Sequence, residues 1–143
     1  EVAYQLLATQ NPHQFVGAGL VGDLAEPTDA LAFLSELKQK FNCGVIRYTQ
    51  LLPKKIKKVA LCGGSGSFLL SDAIRAKADI FITADFKYHE FFDAEEKLLL
   101  CDIGHYESEK YTIDLFSDIL SSKFPKFATI FAETITNPID YLT

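Results

Sequence analysis

The sequence predicts an α/β domain, with alternating strands and helices around a largely parallel or mixed sheet. Three observations carry this. From Lys57 onward, apolar runs of strand length alternate with longer amphipathic segments. The runs "KKVALC", "DIFITA" and "KLLLCDI" are continuously apolar, as in strands covered on both faces. The chain has 143 residues, 48% hydrophobic and 23% charged, the size and composition of one globular domain.

Taken in order, "EVAYQLLAT" alternates like a strand, and "FVGAGLVGDL" reads as a strand running into a tight turn. "EPTDALAFLSELKQKF" is a helix: Thr28 or Asp29 can cap it, and Leu31, Leu34, Leu37 and Phe41 fall on one stripe. A strand "GVIRYT" and a polar loop through Pro53 follow. Then come strand "KKVALC", the glycine-rich "GGSGS", helix "FLLSDAIRAKA", strand "DIFITA" and helix "FKYHEFFDAEEK". Strand "KLLLCDI", helix "YESEKYTIDLFSDILSSKF" and a last strand "KFATIFAET" complete the pattern, and Pro138 breaks the tail. The chain has no methionine and opens directly in a strand-like pattern, which suggests a segment of a longer protein.

The net charge of −5 disfavours nucleic acid as a partner. The lysines of "KKIKK" (54–58) read as a solvated loop before a strand. No apolar run reaches the ~18 residues of a membrane helix, and no signal peptide is recognisable. Cys43, Cys62 and Cys101 are odd in number and lack CxxC spacing. They read as small buried apolar residues in a reducing, cytoplasmic setting rather than as a zinc site. His13, after Pro12, reads as a surface residue. Phe86, Tyr88, Phe91 and Phe92 read as helix packing rather than a stacking platform for bases.

Three polar segments share one place in this layout. "GGSGS" (63–67), "ADFKYHE" (84–90) and "GHYESE" (104–109) each connect a strand to a helix. In an open parallel sheet such connections lie along one edge, where ligands bind. His105 and Glu109 are one helical turn apart and can share a face, as can Asp85 and His89. An imidazole and a carboxylate so placed can bind a divalent ion. The plainer alternative is a hydrogen-bonded turn histidine with glutamates favouring a helix N-terminus. Gly63, Gly64, Ser65 and Gly66 permit a close backbone approach and can hold an anionic group, or simply make a tight turn. The segment fits neither GxxxxGK[ST] nor GxGxxG, and Ser65 does not sit in GxSxG.

Three stretches, in this order, closely resemble the C-terminal portion of the Nif-three-like family: "VGAGLVGDL", "KKVALCGGSGSFLLSDAIRAKADIFITADFKYHEFFDA" and "LCDIGHYESEKYTIDLF". Members are also labelled dinuclear metal centre proteins or GTP cyclohydrolase I type 2 homologues. The resemblance covers roughly residues 15 to 140. It implies that residues 15–143 are a C-terminal lobe and that residues 1–14 return from a preceding, inserted, PII-like domain. It implies that His105 and Glu109 are ligands in a two-metal centre. The family's TGD…KYH motif stands here as Thr83, Ala84, Asp85, then Lys87, Tyr88 and His89, with alanine in place of glycine. Asp85 and His89 are then catalytic or substrate-site residues beside the metals.

The family's remaining ligands, a His–His pair and an Asp, lie in a part absent from this sequence. The resemblance therefore implies two divalent ions per complete chain, with zinc, iron and manganese all suited, and an incomplete or empty site in this lobe. It implies a small-molecule substrate, no nucleic acid or membrane partner, and a homo-oligomer, hexameric for complete members. The function it implies is a dinuclear-metal-dependent hydrolase acting on a nucleotide-like or phosphorylated small molecule. The alternative is a non-catalytic metal-carrying, protein-interaction or regulatory module.

Overall fold

In the computed structural model, the described residues are 4–7, 17–94 and 96–142. They form a six-stranded mixed sheet flanked by short helices. The strands are β1 (Tyr4–Leu7), β2 (Gly19–Thr28), β3 (Arg47–Tyr48), β4 (Ile56–Ser65), β5 (Ile80–Ala84) and β6 (Leu99–Asp102), in the spatial order β1-β2-β4-β5-β6-β3. The middle three, β4, β5 and β6, are parallel, and the flanking pairs are antiparallel. Most of the return segment expected at 1–14, and His13 with it, lies outside the described residues.

Both faces of the sheet are covered, which explains the continuous apolar runs. Ile80 and Ile82 of β5, with Leu99 and Cys101 of β6, face α1 (Ala30–Lys40) and its Leu34 and Leu37. Phe81 and Leu100 point the other way, to Leu70 and Ala73 of α2 (Leu70–Arg75). A period of two in side-chain direction thus splits one apolar run between two cores. Helix α1 starts where Asp29 accepts hydrogen bonds from the amides of Leu31 and Ala32, both at 3.0 Å. It ends at Asn42, in the left-handed region, with Cys43 N–H bonded back to Lys38 O.

The expected tight turn after "FVGAGLVGDL" is absent, because β2 runs on through Thr28 beside β4. "GGSGS" is partly strand: Gly63, Gly64 and Ser65 end β4, with a break in the β4–β5 register between Leu61 and Ser65. The helix expected over "FKYHEFFDAEEK" is a shorter 3-10 segment, Tyr88–Ala94. There Phe91 and Ala94, three apart, both turn to the core, the spacing a three-residue turn favours. The helix expected over "YESEKYTIDLFSDILSSKF" is two, α3 (His105–Glu109) and α4 (Thr112–Lys123). They meet at Tyr111, which packs edge-on against Phe41 and donates to Lys40 O at 3.0 Å.

"KFATIFAET" forms no strand. A strand needs a paired neighbour, and this segment pairs with none of the six strands. Helix α4 buries none of its residues.

Candidate metal site at the sheet edge

The carboxyl ends of β4, β5 and β6 bring together residues far apart in sequence. After β5, Asp85 adopts φ 62, a left-handed conformation that a short polar side chain tolerates. This turn aims its carboxyl at the next connection, where Asp85 Oδ2 lies 2.5 Å from His105 Nδ1. The other ring nitrogen, His105 Nε2, lies 3.2 Å from Glu109 Oε2, one turn along α3. The three form a line: carboxyl, imidazole, carboxyl. His105 and Glu109 are 49% and 51% exposed, so the line opens outward.

The hydrogen bond that His105 Nδ1 donates to Asp85 raises the His105 pKa above the usual imidazole value. Partial desolvation opposes this, and the charges of Asp85 and Glu109 add to it. In the neutral ring, a proton held on Nδ1 by Asp85 leaves a lone pair on Nε2 facing a carboxyl oxygen. Two acceptors that close call for a proton or a cation between them.

Gly64 completes the site. Its φ is 62, and a Cβ there would collide with Glu109 Oε1 and lie 3.3 Å from His105 Cε1. Glycine is what lets the strand end approach the pair this closely. Its carbonyl accepts from the buried Thr83 hydroxyl at 3.0 Å, and its amide donates to Ser108 Oγ at 2.8 Å. Ser108 Oγ in turn donates to His105 O. The glycine strand end is thus bolted to α3, and its central amide is already engaged.

The residues present fit one side of a cation. His105 and Glu109 supply two donors, and Gly64, having no side chain, lets both sit against the strand end. Among the described residues, no group of three or more His, Cys, Asp or Glu side chains is arranged to hold an ion. Asp85 is turned to the back of the imidazole, the position of a carboxylate that fixes a ligating histidine. His89 lies exposed on the 3-10 segment, with no hydrogen bond or ion pair to Asp85, His105 or Glu109 among the described residues.

Asp102 went unnoticed in the sequence because it hides at the end of an apolar run. It is buried and pairs with Arg47, and it accepts from Phe86 N and Gly104 N at 3.1 Å each. It thereby ties two of the three connections together. The aromatic segment also departs from its expected role. Phe86 is buried, but Tyr88 and Phe92 are 80% and 66% exposed. They line a cleft of about 720 Å³ with Tyr48 and Arg47.

The family pattern described as Duf34/NIF3 (NGG1p interacting factor 3) matches residues 2–138, nearly the whole chain. The chain belongs to the Duf34/NIF3 family. A Campylobacter jejuni protein named "GTP cyclohydrolase 1 type 2 homolog" is 36% identical over 107 residues, covering 73% of this chain and 42% of the relative. A Staphylococcus epidermidis protein of the same name is 32% identical over 138 residues, covering 92% of this chain and 37% of the relative. The crystal structure of a Bacillus cereus protein related to NIF3 superposes with a TM-score of 0.75 at 25% identity. That match covers 94% of this chain and 38% of the other. The Duf34/NIF3 chain described here therefore spans about two fifths of the length of these relatives. Among its described residues, no helix is long and apolar enough to cross a membrane.

Proposed function

We propose that this chain is the lobe that contributes His105 and Glu109 to a two-ion divalent metal centre. The centre would belong to a cytoplasmic hydrolase of nucleotide-like or phosphorylated small molecules. The observation that carries the reading is the Asp85–His105–Glu109 line opening beside Gly64, with two acceptor atoms 3.2 Å apart. A bound divalent ion would supply an activated water and stabilise negative charge on the substrate.

The chain's own residues do the rest. Asp85 holds the imidazole with Nε2 directed at Glu109, and Ser108 and Gly64 hold α3 against the sheet. His89, exposed on the neighbouring connection, is free to carry a proton. Two protein donors leave most ligand positions to water or to another part of a longer chain, so this lobe alone binds metal weakly. The relatives' name supports a nucleotide-like substrate. So do the exposed rings of Tyr88 and Phe92, which follow Asp85 closely in the chain and suit a planar base.

A second reading, an interaction module, draws on α4. Leu115, Phe116, Ile119 and Leu120 are exposed there, and the helix buries nothing. The test is a turnover assay on a nucleoside triphosphate panel with Mn²⁺, Zn²⁺ or Fe²⁺. It uses the intact C. jejuni relative and variants at the residues aligned with His105 and Glu109. Metal-dependent turnover lost in both variants, at unchanged circular dichroism, supports the hydrolase. Exchangeable metal without turnover would leave metal carriage.

A further inference from the structure

The carboxyl of α3 that the metal reading does not use is that of Glu107. It sits between His105 and Glu109 yet points the opposite way, only 6% exposed. A carboxyl so deep needs a partner. A Cβ built on Gly104 would collide with Glu107 Oε2 and lie 3.4 Å from the Tyr141 hydroxyl oxygen, so the two groups converge there. Tyr141 comes from the far end of the irregular segment after α4. Residues 124–138 of that segment run largely exposed. Its ring is seated in a notch at Gly44, where a Cβ would collide with Cδ2 and lie 3.0 Å from Cγ. Tyr141 keeps 37% of its surface exposed, yet partial desolvation raises the phenol pKa, and the charge of Glu107 and a hydrogen bond to it raise it further. Tyr141 therefore keeps its proton as a donor.

We infer that Tyr141 is a positioning residue, whose hydroxyl donates to Glu107 and latches the C-terminal segment onto the helix that presents His105 and Glu109. The inference rests on the reading of those two residues as metal donors. Helix α3 has five residues, too few to hold its own orientation. On its outer side it is tied by Ser108 to Gly64. On its inner side Glu107 and Tyr141 are the tie. If the phenol oxygen is lost, the buried carboxyl lacks its donor and turns toward water. Each residue of a helix is about 100° from the next, so that turn swings His105 and Glu109 off their packing against Gly64.

The test compares wild type with Tyr141→Phe, Glu107→Ala and Glu107→Gln, with folding followed by circular dichroism. ¹⁵N NMR of the His105 ring reads its tautomer, and Mn²⁺ broadening of the same signals reads metal affinity. In wild type the neutral ring should carry its proton on Nδ1. Tyr141→Phe and Glu107→Ala should mix the tautomers and weaken Mn²⁺ binding about tenfold, as loss of an outer partner of a ligating histidine does. Glu107→Gln, whose amide oxygen still accepts from the phenol, should resemble wild type. Wild-type tautomer and affinity in Tyr141→Phe would overturn the latch, as would Glu107→Gln behaving like Glu107→Ala. Absence of Mn²⁺ broadening in wild type would count against the metal reading alone, and the tautomer measurement would still decide the latch.

Discussion

The parallel strands carry carboxyl groups of two kinds, fastened ones at both ends and an exposed pair at the carboxyl end alone. At the amino end, Asp79 precedes β5 and is surrounded by donors. Its Oδ2 accepts from Lys57 N at 2.9 Å and Lys58 N at 2.8 Å, and its Oδ1 pairs with Lys54 Nζ at 3.1 Å. At the carboxyl end, Asp102 is saturated in the same way by Arg47, Phe86 N and Gly104 N. Asp85 and Glu109 are not. They face one imidazole from both sides, half exposed, with more acceptors than donors. Where the chain supplies enough donors, a carboxyl is a fastening. Where acceptors outnumber donors at an exposed edge, the pair suits the cation proposed above.

The contrast can be broken from either end. Asp102→Ala should be the most damaging substitution, because it leaves the Arg47 charge without its carboxylate and two amides without their acceptor. A loss of about 3 kcal/mol in urea unfolding is expected. Gly64→Ala should cost about 2 kcal/mol, since a side chain at positive φ is strained and the new Cβ displaces Glu109. Unlike Asp102→Ala, it should weaken metal binding more than it weakens the fold.

Asp79→Asn should cost about 1 kcal/mol at neutral pH. Burial raises the Asp79 pKa, but the amides of Lys58 and Lys57 and the Lys54 ammonium outweigh it and bring the pKa below the usual value. A lowered folded-state pKa means that the stabilisation is complete above the unfolded value. It is lost as pH falls through the folded one. The gap between wild type and Asp79→Asn should therefore close below about pH 4.

The smallest effect on stability belongs to His105. Its pKa is raised, so its contribution is present at low pH and fades as pH rises through the folded value. Exposure keeps it slight. An NMR titration should still place its midpoint above that of a free imidazole, and Asp85→Asn should bring it down.

The middle of the fold was legible because buried parallel strands leave an unmistakable mark. The runs around Val59, Phe81 and Leu100 are apolar on both faces, and each became a strand. The sheet edge was legible for the same reason, since connections after parallel strands must converge. Pairing was less so. HxxxE spacing places His105 and Glu109 on one face, but only the positive φ at Asp85 shows which group sits behind the ring. Asp102 was silent, and Glu107 was read only as an acid favouring a helix N-terminus, because a buried carboxyl is recognised by partners distant in sequence, Arg47 for one and Tyr141 for the other. The segment at 126–134 misled for a related reason: alternation marks a residue pattern that suits a strand, but a strand exists only where its backbone pairs with a neighbour.

The most direct measurement is metal content by plasma mass spectrometry after equilibration with Zn²⁺ or Mn²⁺ and dialysis against a known free concentration. It should be made on wild type, His105→Ala, Glu109→Ala and Asp79→Asn. The account predicts metal in wild type and Asp79→Asn, lost in both His105→Ala and Glu109→Ala while their circular dichroism stays unchanged. Equal metal in all four proteins would contradict it.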